Sequence, residues 1–99
     1  MLNINKTIEN GTTIIALAGR LDTTTAPELE QEVKASLTGL SELVMDMKEL
    51  DYISSAGLRV LLSAQKVMNK QGSMTIKNAN DTILEIFEVT GFSDILTIE

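Results

Sequence analysis

Ser54 and Ser55 stand side by side where an apolar run, Leu43-Val44-Met45-Asp46-Met47, hands over to a helical pattern extending from about Ala56 to Lys70. A helix start has N–H groups without intrahelical partners and the positive end of the helix dipole. Hydroxyls placed there can cap the helix, carry a phosphate or act as nucleophiles. Serine is a preferred cap, and spacing alone leaves open which of the two does the capping. Ile53-Ser54-Ser55-Ala56-Gly57 has the outline of a catalytic strand-turn-helix elbow, but the leading glycine is missing and the chain has no histidine to serve as base. A phosphate-cradling loop fits less well, since Gly57 is the turn's only glycine and no Lys-Ser/Thr pair follows.

The other chemistry-bearing residues are acids. Asp22, Asp46, Glu49 and Asp51 could collect around Mg²⁺, but their spacing matches no known metal loop, and they read as solvated carboxylates. A phosphoaspartate receiver is also a small parallel-sheet fold. Here no acidic pair closes an early strand, and the chain is short for that fold. With neither histidine nor cysteine in the chain, Ser-His-Asp triads, thiolate metal sites, most zinc sites and disulfides are excluded. No cofactor, no metal and no enzymatic activity are expected.

Composition narrows the partners. A net charge of −6 argues against nucleic acid or an anionic membrane, both of which demand a basic surface. The aromatic residues are only Tyr52, Phe87 and Phe92, too few for base-stacking platforms. The first residues, Met1 to Lys6, lack the layout of a secretory signal, and no apolar run approaches the roughly 20 residues of a membrane span. A soluble, cytoplasmic protein, monomeric when free, is expected.

The elements that must position the serines follow from periodicity. Leu2, Ile4 and Ile8 alternate with polar residues as a first strand. Asn10-Gly11 signals a tight hairpin turn into a second, nearly continuous apolar strand, Thr12 to Leu21, of the kind covered on both faces. Gly19 suggests a bulge or a close backbone approach. Thr25 and Glu28 have capping-box spacing before a helix with Ala26, Leu29, Val33 and Leu37 on one face, ended by Gly39. Leu40 to Met47 reads as a buried strand with Asp46 near its end. In the helix after Ser55, Arg59, Ser63, Lys66 and Lys70 form one polar stripe at spacings of four, three and four. A strand over Ser73–Lys77, a short helix with Ile83, Ile86 and Phe87 inward, and a last strand from Ile95 to Ile98 complete the order ββαβαβαβ. Strands alternating with helices imply parallel pairing, and the hairpin adds an antiparallel edge, giving an α/β domain with a mixed, mostly parallel sheet. Binding loops of such sheets gather at strand C-termini, which brings Asp22-Thr23-Thr24-Thr25 beside Ser55.

Leu50-Asp51-Tyr52-Ile53-Ser54-Ser55-Ala56-Gly57-Leu58-Arg59-Val60-Leu61-Leu62 resembles the signature of the STAS domain family, specifically the bacterial anti-sigma-factor antagonists. Gly19-Arg20-Leu21-Asp22 with Ala26-Pro27 is similar to the family's early segment, and Phe87-Glu88-Val89-Thr90-Gly91-Phe92 to its late Phe-x-x-x-Gly-Leu/Phe segment. The resemblance covers nearly the whole chain and implies a single STAS domain over residues 1–99. It also implies partner switching. The unphosphorylated antagonist binds an anti-sigma factor that is a GHKL-type serine kinase and so frees the sigma factor. Phosphorylation breaks that complex, and a PP2C-type phosphatase reverses it. Aligned on Gly57-Leu58, the phosphoacceptor falls on Ser55. Ser54 takes the place of the usual Asp, Ala56 that of a second hydroxyl, and Arg59 that of a frequent Gly. The partner surface then comprises Asp22, Thr23, Thr24, Ser54, Ser55, Ala56, Gly57, Arg59, Ser63 and Lys66. The alternative within the family is a non-switching adaptor or subunit of a signalling or lipid-transport assembly.

Overall fold

A computed structural model describes residues 1–99. Strands β1 (Leu2–Glu9) and β2 (Thr12–Leu21) form an antiparallel hairpin. Asn10 (φ 49°) and Gly11 (φ 83°) occupy its turn, both in the left-handed region that a two-residue type I′ turn requires. Helix α1 (Ala26–Ser36) leads to β3 (Glu42–Ile53), which lies parallel to β2. Helix α2 (Ser55–Gln71) leads to β4 (Ser73–Lys77), parallel to β3. The sheet order is β1-β2-β3-β4, followed in the chain by α3 (Asp81–Thr90) and a 3₁₀ turn, Phe92–Asp94. No helix is long and apolar enough to cross a membrane.

The expected last strand is reduced to one bridge, Ile76 to Ile98, held by Ile76 N–H to Thr97 O (2.8 Å) and Glu99 N–H to Ile76 O (2.9 Å). Ile95 is helical, and the N–H groups of Ile95 and Leu96 bond back to Phe92 O (3.0 and 2.8 Å), so the first half of the expected strand closes the 3₁₀ turn instead of extending along β4.

The sheet is also more one-sided than the apolar run of β2 suggests. Thr13, Ile15 and Leu17 of β2, with Leu43, Met45 and Met47 of β3, are buried in a single core that includes Leu29 and Val33 of α1, Leu61 and Met68 of α2, and Ile83 and Phe87 of α3. Their alternates, Ile14, Ala16, Val44 and Asp46, are only half buried.

Strand β3 continues well past the expected boundary at Met47, through Lys48, Glu49 and Asp51. Two bulges carry it. Ala16 pairs Asp46 and Ala18 pairs Glu49, so Leu17 alone faces both Met47 and Lys48. Asp51 is the extra residue between the pairs Gly19–Leu50 and Arg20–Tyr52. Each bulge shifts parity by one, so the buried residues step from a spacing of two (Met45, Met47) to three (Met47, Leu50, Ile53) and stay on the core face. Asp46 serves this distortion: its Oδ1 accepts from Lys48 N–H (3.0 Å) and from Asn78 Nδ2 (3.0 Å). Gly19, at φ 100°, lies where a Cβ would collide with the Met1 carbonyl, so bulge and close approach coincide there.

The capping box at α1 does not form. Thr25 is the N-cap residue, but its backbone is helical (φ −101°, ψ −19°) and its side chain makes no capping bond. The buried hydroxyl instead accepts from Asp22 N–H (2.8 Å) and donates to Arg20 O (2.8 Å). Asp22 takes over the helix entrance, its Oδ1 accepting from Thr24 Oγ1 (2.7 Å) and from the N–H groups of Thr24 (3.0 Å) and Thr25 (3.1 Å). The Thr24 hydroxyl holds this carboxyl below its ordinary 3.8; desolvation opposes it, and the Thr25 and Thr24 N–H groups and the Thr25 hydroxyl add to the lowering.

Gly57 lets α2 sit on the strand ends. A Cβ there would lie 2.7 Å from Leu21 Cγ and 2.9 Å from Ile53 Cγ1, inner atoms of two buried side chains and not flexible tips that could swing away. Gly57→Ala therefore lowers stability: overpacking of about 1–3 kcal/mol exceeds the helix-propensity gain of about 1 kcal/mol. Urea denaturation reads the change, and a midpoint at or above that of the parent protein contradicts it. Asp22→Asn gives a second expectation. A depressed native carboxyl contributes stability that is fully present above the unfolded-state value and lost as pH falls through the native one. The melting temperature of Asp22→Asn thus falls below the parent's at pH 7, and the two converge in acid below the ordinary carboxylate range. A difference independent of pH contradicts this.

Candidate functional site

The parallel pairing Leu21–Ile53 brings the C-terminal ends of β2 and β3 together, and each strand leaves the sheet there into a helix. Ser54 N–H donates to Leu21 O (2.8 Å), which stitches the start of α2 to the start of the Asp22–Thr25 loop. The expected neighbourhood of that loop and the serines is therefore present. Alongside it, the register places Arg20 opposite Tyr52. The guanidinium lies 4.4 Å from the ring centroid, and its Nε is 3.9 Å from Asp22 Oδ2. Arg20 thus bridges the two strand ends by cation–π contact and charge. The sequence reading passed over this pair, which becomes visible only once the double-bulged register of β3 is known.

The two serines do different things. Ser54 is the N-cap: its backbone is extended (φ −97°, ψ 175°), its hydroxyl accepts from Gly57 N–H at 3.4 Å, and its carbonyl accepts from Leu58 N–H at 2.9 Å. Ser55 is the first helical residue. Its side chain is exposed and is not part of the cap. A hydroxyl at this position projects into solvent, with the first-turn N–H groups and the positive dipole end beside it. The first turn of α2 contains no acid to oppose an incoming anion.

Beside Ser55, the first turns of α1 and α2 enclose a groove of about 290 Å³ lined by Thr23, Ala26, Pro27, Glu30, Ala56, Arg59, Val60 and Ser63. It gathers Thr23, Ala56, Arg59 and Ser63 of the expected surface. Pro27 and Glu30 of α1 and Val60 of α2 lie outside the expected surface, which takes in the polar stripe of α2 and the β2–α1 loop but nothing from α1. Further along the same helix pair a second hollow of about 230 Å³ runs past Val33, Leu37 and Val67. Lys66 is exposed farther along α2 and lines neither hollow. Asp22 is half buried and engaged in its turn, and Thr24 is exposed with its hydroxyl on Asp22. Gly57 departs from the expected surface: it is buried against Leu21 and Ile53 and presents nothing to a partner. Asp22, Asp46, Glu49 and Asp51 are not gathered with one another into a group of three or more metal-ligating side chains.

The chain is similar to several known proteins. BtrV of Bordetella bronchiseptica, provisionally named an anti-sigma factor antagonist, is 37% identical over 91 residues, which is 90% of this chain and 78% of that one. The anti-sigma-B factor antagonist of Bacillus subtilis is 29% identical over 100 residues, covering 98% and 92%. Among solved structures, an anti-sigma factor antagonist from Mycobacterium paratuberculosis superposes with a TM-score of 0.89 at 21% identity, over 99% of this chain and 85% of that one. The Bacillus cell fate determinant SpoIIAA in its phosphorylated form superposes at 0.75 with 15% identity, over 100% and 91%. At these identities the superpositions speak for the fold alone. The STAS domain model matches residues 3–99. A hairpin-edged parallel sheet whose second crossover helix starts at the serine pair, matched by that model from residue 3 to residue 99, makes this chain a member of the STAS domain family.

Proposed function

We propose that the protein is an anti-sigma-factor antagonist whose switch is Ser55. Its unphosphorylated form binds an anti-sigma factor that is also a GHKL-type serine kinase, and phosphorylation of Ser55 ends that complex. The observation that carries this reading is the division of labour between the serines. Ser54 makes the cap, and Ser55 offers an exposed hydroxyl that takes no part in it. The names of the two relatives support the antagonist role.

In the transfer step Ser55 Oγ attacks the γ-phosphorus of a nucleoside triphosphate. The Oγ–P bond forms, the bond from phosphorus to the diphosphate leaving group breaks, and the hydroxyl proton passes to a base of the kinase. A PP2C-type phosphatase directs water to the same phosphorus, releasing inorganic phosphate and restoring the hydroxyl. The antagonist supplies the acceptor and no catalytic group.

The modification adds about −1.5 to −2 charges. At the start of α2 they meet a dipole and N–H groups that favour an anion, so the domain stays folded. The partner bears the cost. An interface packed around a hydroxyl, with Asp22 across the paired strand ends and Asp51 four residues before Ser55, must desolvate a dianion. A loss of about 4 kcal/mol corresponds to roughly a thousandfold in affinity.

Incubation with ATP and the host's purified GHKL-type kinase, followed by phosphosite mapping, is expected to find phosphate on Ser55 and none on Ser54. An active kinase that leaves Ser55 unmodified sinks the switch. By calorimetric titration against that kinase, Ser55→Ala is expected to bind within about threefold of the parent, and the Ser55 phosphoprotein roughly a thousandfold more weakly. Equal affinity of both forms, with stable association of the protein to a transport ATPase, assigns the non-switching adaptor role instead. Ser54, in the place of the family's Asp, is the feature that favours that second reading.

A further inference from the structure

Helix α2 carries three cations, Arg59, Lys66 and Lys70, and no carboxylate, in a chain of net charge −6. Arg59 is the one beside Ser55. The two are four residues apart on an α-helix, so they share a face, with Cβ atoms about 5–6 Å apart. Both are exposed. Arg59 takes part in neither of the chain's ion pairs, which are Arg20–Asp22 and Lys77–Glu99. The charged group facing it from α1 is Glu30, which lines the same groove without reaching salt-bridge distance. From the β2–α1 loop the nearest is Asp22, already engaged with Thr24, Thr25 and Arg20. Along α2 the next cation is Lys66, two turns away, and Asp51 lies on the strand before the cap.

We infer that Arg59 is an intramolecular receptor for a phosphate on Ser55, an inference that rests on the switch proposed above. The order is the favourable one, anion at position i and cation at i+4. The guanidinium fork matches two phosphoryl oxygens in a way that an ammonium does not. Where the family signature frequently has Gly, this chain has a cation with no partner of its own. In the unphosphorylated protein the guanidinium is open to a carboxylate of the binding partner. Once Ser55 carries phosphate, Arg59 folds back over one helical turn and is occupied. One modification then both adds an anion to the surface and withdraws a cation from it.

Phosphoserine installed at position 55 during translation, independently of any kinase, provides the test. The phosphorus-31 shift is followed through a pH titration in the parent protein, in Arg59→Gln and in Arg59→Lys. The helix dipole and the first-turn N–H groups act equally on all three, so differences report the residue at position 59. The second phosphate ionisation is expected to lie about 0.15–0.35 of a pH unit lower with Arg59 than with Gln. Lys is expected to recover only part of that shift, and 1 M NaCl to shrink it. Superimposable titrations for the parent and Arg59→Gln overturn the pairing. That result leaves the Ser55 switch standing, just as an unmodified Ser55 in the kinase assay overturns the switch without touching the titration.

Discussion

The close approach of α2 to the ends of β2 and β3 governs the architecture of the site. It depends on the missing side chain at position 57, where Leu21 and Ile53 leave no room for a Cβ. Because the helix can descend that far, Ser54 reaches the carbonyl of Leu21 and the two crossover connections start from one point. The same descent buries Leu58 and Val60 in the first two turns, while Ser55 and Arg59 remain outside. A core constraint and a surface constraint are thus met by one residue, which explains a glycine inside a helix, where it otherwise costs about 1 kcal/mol.

Much of this architecture was legible before any coordinates. Asn10-Gly11 dictated the hairpin because only such residues enter the left-handed region cheaply, and the stripe of α2 fixed its exposed face. The errors have identifiable causes. Charged Lys48, Glu49 and Asp51 masked the second half of β3, because bulges replace a period of two with steps of three that strand patterns do not anticipate. The capping box failed because Thr25 turns its hydroxyl inward to close the loop behind it, leaving Asp22 to hold the helix entrance. At the site, spacing could not separate Ser54 from Ser55. Backbone geometry does so at once, since an extended residue caps and a helical one does not. The Arg20–Tyr52 contact depended on register and lay beyond reach of the sequence.

The electrostatics of the site are local rather than global. The chain as a whole is acidic, yet α2 is wholly cationic among its charged side chains, and Asp22, at the neighbouring strand end, is tied to the Thr24 hydroxyl and backbone N–H groups. A field of this kind falls off within about a Debye length, so it acts on what touches the helix and not on what approaches from afar. It favours orientation of a docked partner over long-range attraction.

The short bridge of the C-terminal residues onto β4 has a consequence for the protein in crowded solution. A sheet that grows by adding copies must expose hydrogen-bonding edges on both sides, so that each copy can receive one neighbour and offer itself to the next. Here Thr97 and Glu99 occupy the outward groups of Ile76 in the short strand β4, which leaves β1 as the one long open edge. Two copies joined through β1 would have no equivalent edge left to extend, so this route ends at a pair instead of a fibre.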